Sequence, residues 1–140
     1  MPVHLLKICV GIEDIDHLAR AQKQRIRDTG RLVHVTRSMP RRAAEVLDGG
    51  SLYWIIRGFI QVRQRIIGLH RATNSRGLSC CEIERDPELV RTVPQPRRPH
   101  QGWRYLDPAD APADLADADR AGFEKLPPAM LAELRELGLV

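Results

Sequence analysis

Two runs of strand-forming residues with one glycine between them constrain the fold more than any other part of the sequence. The first run covers residues 51–57 and the second covers residues 59–69, and Gly58 separates them. β-Branched and aromatic side chains pack well on a pleated surface, and glycine permits the tight turn between antiparallel strands. The sequence therefore predicts a central β-hairpin, and Gly68 predicts a bend near the end of its second strand, as at a barrel corner.

Shorter elements are predicted on both sides of this hairpin. Apolar residues at helical spacing predict a helix over residues 15–28, capped by Asp14. A short helix is expected with Ser38 near its cap and Pro40 in its first turn, and the glycine pair 49–50 ends it. Further strands are predicted over residues 3–10, 31–36, 78–85 and 101–106, and an amphipathic terminal helix is predicted over residues 128–137.

The composition changes in the C-terminal part of the chain. Eight of the ten prolines lie within residues 87–128. Proline lacks a backbone donor, so residues 93–100 are interpreted as a Pro- and Arg-rich connector. Residues 108–117 are expected to form a short acidic helix or a wrapped loop. The whole pattern is α+β and predicts a small, mixed or antiparallel, partly closed β-barrel with peripheral helices.

The net charge is divided unevenly along the chain. Residues 106–140 contain three basic and eight acidic side chains, so that the total of +4 leaves +9 on residues 1–105. We therefore predict a basic barrel domain over residues 1–106. An acidic, proline-rich extension over residues 107–140 is expected to pack on the same domain. A basic body with an acidic tail favours a polyanionic partner, such as nucleic acid, which the tail could mask.

The sequence argues against several locations and chemistries. No apolar run exceeds five residues, so no membrane-spanning helix is expected. Lys7 interrupts the apolar N-terminus, which argues against a signal peptide. Three cysteines without a leader favour a reducing, cytoplasmic setting. No histidine or cysteine pair has the spacing of a structural zinc site, and no phosphate loop or nucleophile elbow occurs, so no metal or cofactor is expected.

Arginines lie beside the few aromatic residues, and this combination points to a binding site. Aromatic rings stack on unpaired bases while arginines hold phosphates, as single-strand or flipped-base recognition requires. Tyr53 and Trp54 face opposite ways on a strand, so one is expected in the core and the other could reach a site. A buried Gln64 would need hydrogen-bond partners or would line a pocket. The candidate nucleic-acid-binding residues are Arg37, Arg41, Tyr53, Trp54, Arg63, Gln64, Arg65, Arg98, Trp103 and Arg104.

Five segments resemble a bacterial family of short proteins of unknown function, over about residues 1–115. They are residues 1–7, 36–42, 48–54, 63–66 and 98–106. More distantly, a short helix ending in glycine over residues 46–50, followed by strands over residues 52–68, resembles the PUA-like superfamily with its ASCH and EVE domains. That resemblance implies a barrel with a cleft beside it that binds RNA or a modified base. His100 departs from the pattern, since an aromatic residue is expected there.

Three hypotheses follow for the function. The first is a PUA-like domain that binds RNA or another single-stranded nucleic acid, with the RNA or DNA preference left open. The second is a protein-interaction or assembly module, including a homodimer, because the terminal helix is amphipathic. The third is an enzyme acting on a nucleotide or nucleic acid, with His34, His70 or Cys81 as its reactive group; a non-enzymatic role is favoured over it.

Overall fold

A computed structural model describes residues 2–117 of the chain. Within them, no helix is long and apolar enough to cross a membrane. The terminal helix predicted over residues 128–137 lies outside the described part. The elements in chain order are β1 (His4–Ile8), α1 (Ile15–Thr29), β2 (Val33–Thr36), α2 (Ala43–Leu47), β3 (Ser51–Ile56), β4 (Phe59–Thr73), β5 (Ser79–Arg85), β6 (Val90–Pro96), β7 (Trp103–Leu106) and a 3₁₀ turn (Leu115–Asp117).

The strands form one mixed sheet around the long strand β4. The order is β2-β5-β4-β3-β1-β7, and β6 also pairs with β4. The β1–β3 pair is parallel and the other pairs are antiparallel. The α+β class is therefore confirmed. The sheet is not closed, however, because β2 and β7 stand at its opposite ends, so the expected partial closure into a barrel is not found within residues 2–117.

The central hairpin and its bend are confirmed. Arg57 and Gly58 form the two-residue turn between β3 and β4, and both have positive φ angles of 53° and 82°. Such a turn matches the right-handed twist of the paired strands, and glycine adopts the conformation without strain. The register with β5 shifts between Ile66 and Gly68. This bulge lies where Gly68 predicted the bend, and it divides β4 into a half paired with β3 and β6 and a half paired with β5.

The first helix agrees with its prediction, whereas the second ends before the glycine pair 49–50 as expected but begins later than expected. The Asp14 side chain accepts a hydrogen bond from the backbone N–H of His17 at 2.7 Å and caps α1. Helix α2 begins at Ala43 after an N-cap residue without a capping side chain, so the predicted cap at Ser38 is wrong. The Ser38 carbonyl instead accepts hydrogen bonds from the Thr36 hydroxyl and the Trp103 indole. The second contact fastens the chain between β2 and α2 to β7.

The prediction of a connector in the proline-rich stretch is also wrong in part. The predicted connector over residues 93–100 begins as part of β6, which pairs with β4. β6 has no other strand partner than β4 among the described strands, so its prolines remove few ladder hydrogen bonds. Residues 108–117 form a wrapped loop that ends in the 3₁₀ turn. A backbone hydrogen bond of 2.9 Å from Val93 to the Ala113 carbonyl fastens this loop along β6.

Both faces of the central strands are buried. One face packs against α1 and contains Leu52, Trp54 and Ile56, whereas the other contains Tyr53 and Ile55. Tyr53 and Trp54 are only 4% and 2% exposed. Neither ring is therefore exposed on the surface, where an unpaired base could stack on it, and Trp54 instead lines a cavity beside α1. A sheet with one solvated face would expose one of the two rings, but this sheet is covered on both faces.

Candidate nucleic-acid interface

Three adjoining surface clefts follow the edge strand β7 and the end of β2. We call the six basic side chains that line them the basic strip. Among the described residues, no aspartate or glutamate lines any of the three clefts. None of the six forms an ion pair with another described residue. The basic strip consists of Lys7, Arg37, Arg76, Arg97, Arg98 and Arg104.

The register of β7 on β1 explains why clefts lie on both sides of this edge. Lys7 is opposite Trp103 and Leu6 is opposite Arg104. Successive side chains of a strand point to opposite faces, so Trp103 and Arg104 belong to different clefts. β7 is the last strand of the described sheet and leaves its outer edge unpaired. The sequence thus places positive charge on both faces of an open strand edge.

The first cleft measures about 690 Å³ and contains Arg97, Arg98 and Arg104. Two of its polar side chains carry atoms without a hydrogen-bond partner within residues 2–117. Both ring nitrogens of His100 and Oε1 of Gln95 are buried without a hydrogen bond. Burial lowers the pKa of the His100 imidazole, which is therefore neutral near pH 7 and has one donor and one acceptor nitrogen. The cleft thus combines positive charge with hydrogen-bonding groups that a ligand could satisfy.

The second cleft, of about 600 Å³, contains Lys7, Arg37 and the half-buried Trp103. The Trp103 indole donates a hydrogen bond of 2.9 Å to the Ser38 carbonyl. Its ring meets that of Tyr105 edge-on, with centroids 4.9 Å apart. These two contacts fix the orientation of Trp103, which is the only Phe, Trp or Tyr side chain that lines the described clefts of the strip.

The third cleft continues from the second, since residues 35–37 line both. It adds Arg76 from the turn between β4 and β5. In this turn the Asn74 side chain accepts hydrogen bonds from the backbone N–H groups of Arg76 and Leu78, at 2.9 and 3.0 Å. An Asx turn of this kind fixes the loop backbone and so the position from which Arg76 extends.

The structure brings four of the ten predicted binding residues into these clefts and separates the others. The four are Arg37, Arg98, Trp103 and Arg104. Arg41 and Arg65 are exposed but line none of the three clefts. Lys7, Arg76 and Arg97 were not among the predicted residues. These three residues share a basic side chain that forms no ion pair with a described carboxylate. The absence of such a partner becomes visible only in the folded structure.

Trp54 and Gln64 belong to a buried hydrogen-bond chain. The Trp54 indole N–H donates to Oε1 of Gln64 at 2.9 Å. The Gln64 amide donates to Oε1 of Gln22 at 2.8 Å and to the Asp86 carbonyl at 3.1 Å. Gln22 in turn donates to the Pro87 carbonyl at 2.6 Å. The expectation that a buried Gln64 finds hydrogen-bond partners is confirmed, and the chain ties α1 to the sheet.

Arg63 is held by the acidic extension. Its guanidinium makes two hydrogen bonds of 2.7 Å to the two carboxylate oxygens of Asp114 and a third, of 3.0 Å, to the Ser51 hydroxyl. The pair is about three-quarters buried. These hydrogen bonds from Arg63 hold the pKa of the Asp114 carboxyl below its ordinary value. Asp114 thus neutralises one predicted phosphate-binding arginine.

The three candidate reactive groups do not form a catalytic cluster. Cys81 is fully buried, with its Sγ 3.7 Å from the Met39 sulfur, and burial raises the pKa of its thiol. His70 is exposed and lies 2.9 Å from a Glu84 carboxylate oxygen. No hydrogen bond joins His34, His70 or Cys81 to one another, and no group of three potential metal ligands occurs in residues 2–117. This arrangement offers no activated nucleophile.

Comparison with known proteins assigns the chain to a family. Residues 5–140 match the family described as protein of unknown function (DUF1489), and the chain therefore belongs to it. The predicted membership of a family of unknown function is confirmed, whereas the match carries no likeness to PUA-like domains. No curated protein and no solved structure matches the chain.

Proposed function

We propose that this DUF1489 protein binds single-stranded nucleic acid, with RNA as the first candidate, along the basic strip. The observation that carries the proposal is a set of three adjoining clefts, which among the described residues are lined by six basic side chains and no carboxylate. Phosphate contacts supply most of the affinity of sequence-independent nucleic-acid binding. Arginine serves this role well because its planar fork matches phosphate oxygens.

Each part of the strip takes a distinct role. Arg97, Arg98 and Arg104 hold the backbone on one side of β7, and Arg37 holds it on the other. Trp103 offers a partly exposed ring on which an unpaired base stacks, with its indole N–H already fixed by the Ser38 carbonyl. The PUA-like mode, in which RNA or a modified base enters a cleft beside the sheet, is a finer form of the same proposal. Three free cysteines support a reducing compartment such as the cytoplasm.

Fluorescence anisotropy with labelled single-stranded RNA, single-stranded DNA and duplex DNA tests the proposal. For about four phosphate contacts to a single strand, raising the salt from about 50 to 200 mM weakens binding about 50-fold. We expect RNA to bind more tightly than duplex DNA, because a duplex offers no unpaired base to Trp103. Affinity that does not change with salt would refute the phosphate contacts.

A pair of double variants locates the binding surface. Arg98→Ala with Arg104→Ala removes two charges from the strip, and we expect at least about tenfold weaker binding with a smaller salt slope. Arg20→Ala with Lys23→Ala is the matched control, since it removes two exposed charges from α1, outside the three clefts. Equal losses in both double variants would show that net charge alone drives binding and would overturn the assignment of the strip.

A further inference from the structure

A separate cavity of about 230 Å³ lies between α1, β2 and the sheet. Arg85 of β5 lines it and is only 6% exposed. The Arg85 guanidinium carbon lies 5.2 Å from the centre of the Trp54 ring. Leu18 and Ile12 supply apolar wall, and Arg25 of α1 adds a second positive charge. The cavity lining therefore combines apolar side chains with two positive charges.

The Arg85 charge has no partner among residues 2–117. Its Nε is buried without a hydrogen bond. In this part of the chain, no ion pair includes Arg85 and no aspartate or glutamate lines the cavity. Burial lowers the pKa of Arg85 to about 10, which leaves the guanidinium charged at neutral pH. A charged group removed from water needs an opposite charge and hydrogen-bond acceptors, and one aromatic face meets only part of that need.

A second polar group in the cavity wall also lacks a partner. Nε2 of His34 is buried without a hydrogen bond, and its ring meets the Trp54 ring edge-on at 5.3 Å. Burial lowers the pKa of His34 to about 4, with the positive charges of Lys7 and Arg85 acting in the same direction. The imidazole is therefore neutral near pH 7 and can donate or accept one hydrogen bond inside the cavity. Two unpartnered polar groups, on β2 and β5, thus border one space.

We propose that this cavity binds a small planar organic acid, whose carboxylate pairs with Arg85 and whose ring lies beside Trp54. A cavity of about 150 Å³ accommodates benzene, so the volume here accommodates a single ring with a carboxylate. Arginine binds carboxylates with two parallel hydrogen bonds, which would satisfy the buried Nε. The neutral His34 then contacts a polar substituent of the ring. This site is distinct from the basic strip and does not depend on nucleic-acid binding.

The neighbouring cysteine takes no covalent role in this proposal. Cys9 lines the cavity, and burial raises the pKa of its thiol to about 11. Thiolate is the nucleophilic form of cysteine, and almost none is present near neutral pH at such a pKa. The site therefore binds its ligand reversibly through charge, hydrogen bonds and apolar contact.

Benzoate, with benzamide as its neutral isostere, tests the proposal on the full chain. Isothermal titration calorimetry is expected to detect benzoate, with at least about tenfold weaker binding of benzamide. In two-dimensional NMR spectra the chain has two indole N–H signals, from Trp54 and Trp103. Benzoate is expected to shift the Trp54 signal and to leave the Trp103 signal in place. Equal binding of benzamide, or a shift confined to Trp103, would overturn the proposal.

Variants connect the binding to the guanidinium. Arg85→Met keeps the length of the side chain and removes its charge, so we expect at least about tenfold weaker benzoate binding. Arg71→Met, at an exposed site on β4, is the matched control and is expected to bind like the wild type. Should Arg85→Met fail to fold, Arg25→Met removes the second charge of the cavity, and unchanged benzoate affinity there would count against the site. Binding of inorganic phosphate without benzoate would overturn the ligand class.

Discussion

Replacing Gln64 by leucine should destabilise the protein strongly, although leucine is more apolar and of similar size. Gln64 is fully buried in β4 and joins three groups that are otherwise without partners at that point. They are the Trp54 indole N–H, Oε1 of Gln22 and the Asp86 carbonyl, at 2.9, 2.8 and 3.1 Å. The substitution removes all three hydrogen bonds while the three groups stay inside the fold.

The magnitude follows from the number of polar groups left without partners. Each buried polar group that loses its partner costs about 1–3 kcal/mol. The leucine side chain returns about 1–2 kcal/mol through apolar burial. With three groups left without partners, we therefore expect the free energy of unfolding of Gln64→Leu to fall by about 4 kcal/mol, within a range of about 1–8 kcal/mol. Such a loss is a large fraction of the stability of a domain of this size.

Gln61→Leu is the matched control, because Gln61 is the same residue type on the same strand and is also buried. It makes one side-chain hydrogen bond, of 2.7 Å to the Ile56 carbonyl, so the expected loss is only about 0–1 kcal/mol. Urea denaturation followed by far-UV circular dichroism measures both variants without relying on Trp54 fluorescence. Equal losses of unfolding free energy in the two variants, or a Gln64→Leu protein more stable than the wild type, would refute the argument that buried polar groups without partners cause the loss.

Three further predictions concern other contacts. Asp114→Asn breaks the paired hydrogen bonds from Arg63 and should lower the free energy of unfolding by about 1–2 kcal/mol in urea titrations at pH 7. Because Arg63 lowers the pKa of Asp114, this stabilisation is present above its unfolded pKa of about 4 and is lost at lower pH, where wild type and variant should converge. Gly50→Ala would place a Cβ 2.3 and 2.4 Å from two backbone carbonyl oxygens and should lower the free energy of unfolding by about 2–4 kcal/mol. Gly58→Ala, in the exposed turn, should lower it by only about 1 kcal/mol, so similar melting temperatures of the two variants would contradict the prediction. The folded pKa of His34, about 4, lies below its unfolded value of 6.5, so the unfolded chain takes up a proton at a higher pH than the folded protein does. The free energy of unfolding should therefore fall by about 2 kcal/mol between pH 6.5 and pH 4. His34→Gln should abolish that part of the pH dependence.

The elements that the sequence predicted well are those with local signals. Asp14 caps α1 through its own side chain, and Gly58 lies in a two-residue turn. Both signals act within a few residues, so no knowledge of distant partners is needed. The cap expected at Ser38 failed because its carbonyl is engaged by Trp103, which lies 65 positions further along the chain. A capping pattern in the sequence cannot reveal such a competing contact.

The candidate site was predicted only in part, because charge and burial depend on strand pairing. Prolines indicated a connector over residues 93–100, yet residues 93–96 belong to β6, which pairs with β4. The loop that follows β7 lies along β6, and its Asp114 neutralises Arg63. Alternation along a strand correctly separated Tyr53 from Trp54 but could not show that both faces of the sheet are covered.

The position of the positive charge, rather than its total, distinguishes the two proposed sites from the rest of the surface. The excess of +9 on residues 1–105 includes arginines that the fold neutralises, such as Arg63 with Asp114 and Arg42 with Glu45. It also includes arginines that no described carboxylate approaches. Exposed ones, such as Arg98 in the strip, remain hydrated and favour a long polyanion that contacts several of them at once. Arg85 is buried, so it favours one small anion that fits the cavity and replaces the lost water. A polymer and a small acid should therefore bind the chain independently, and saturating benzoate should leave the affinity for single-stranded RNA unchanged.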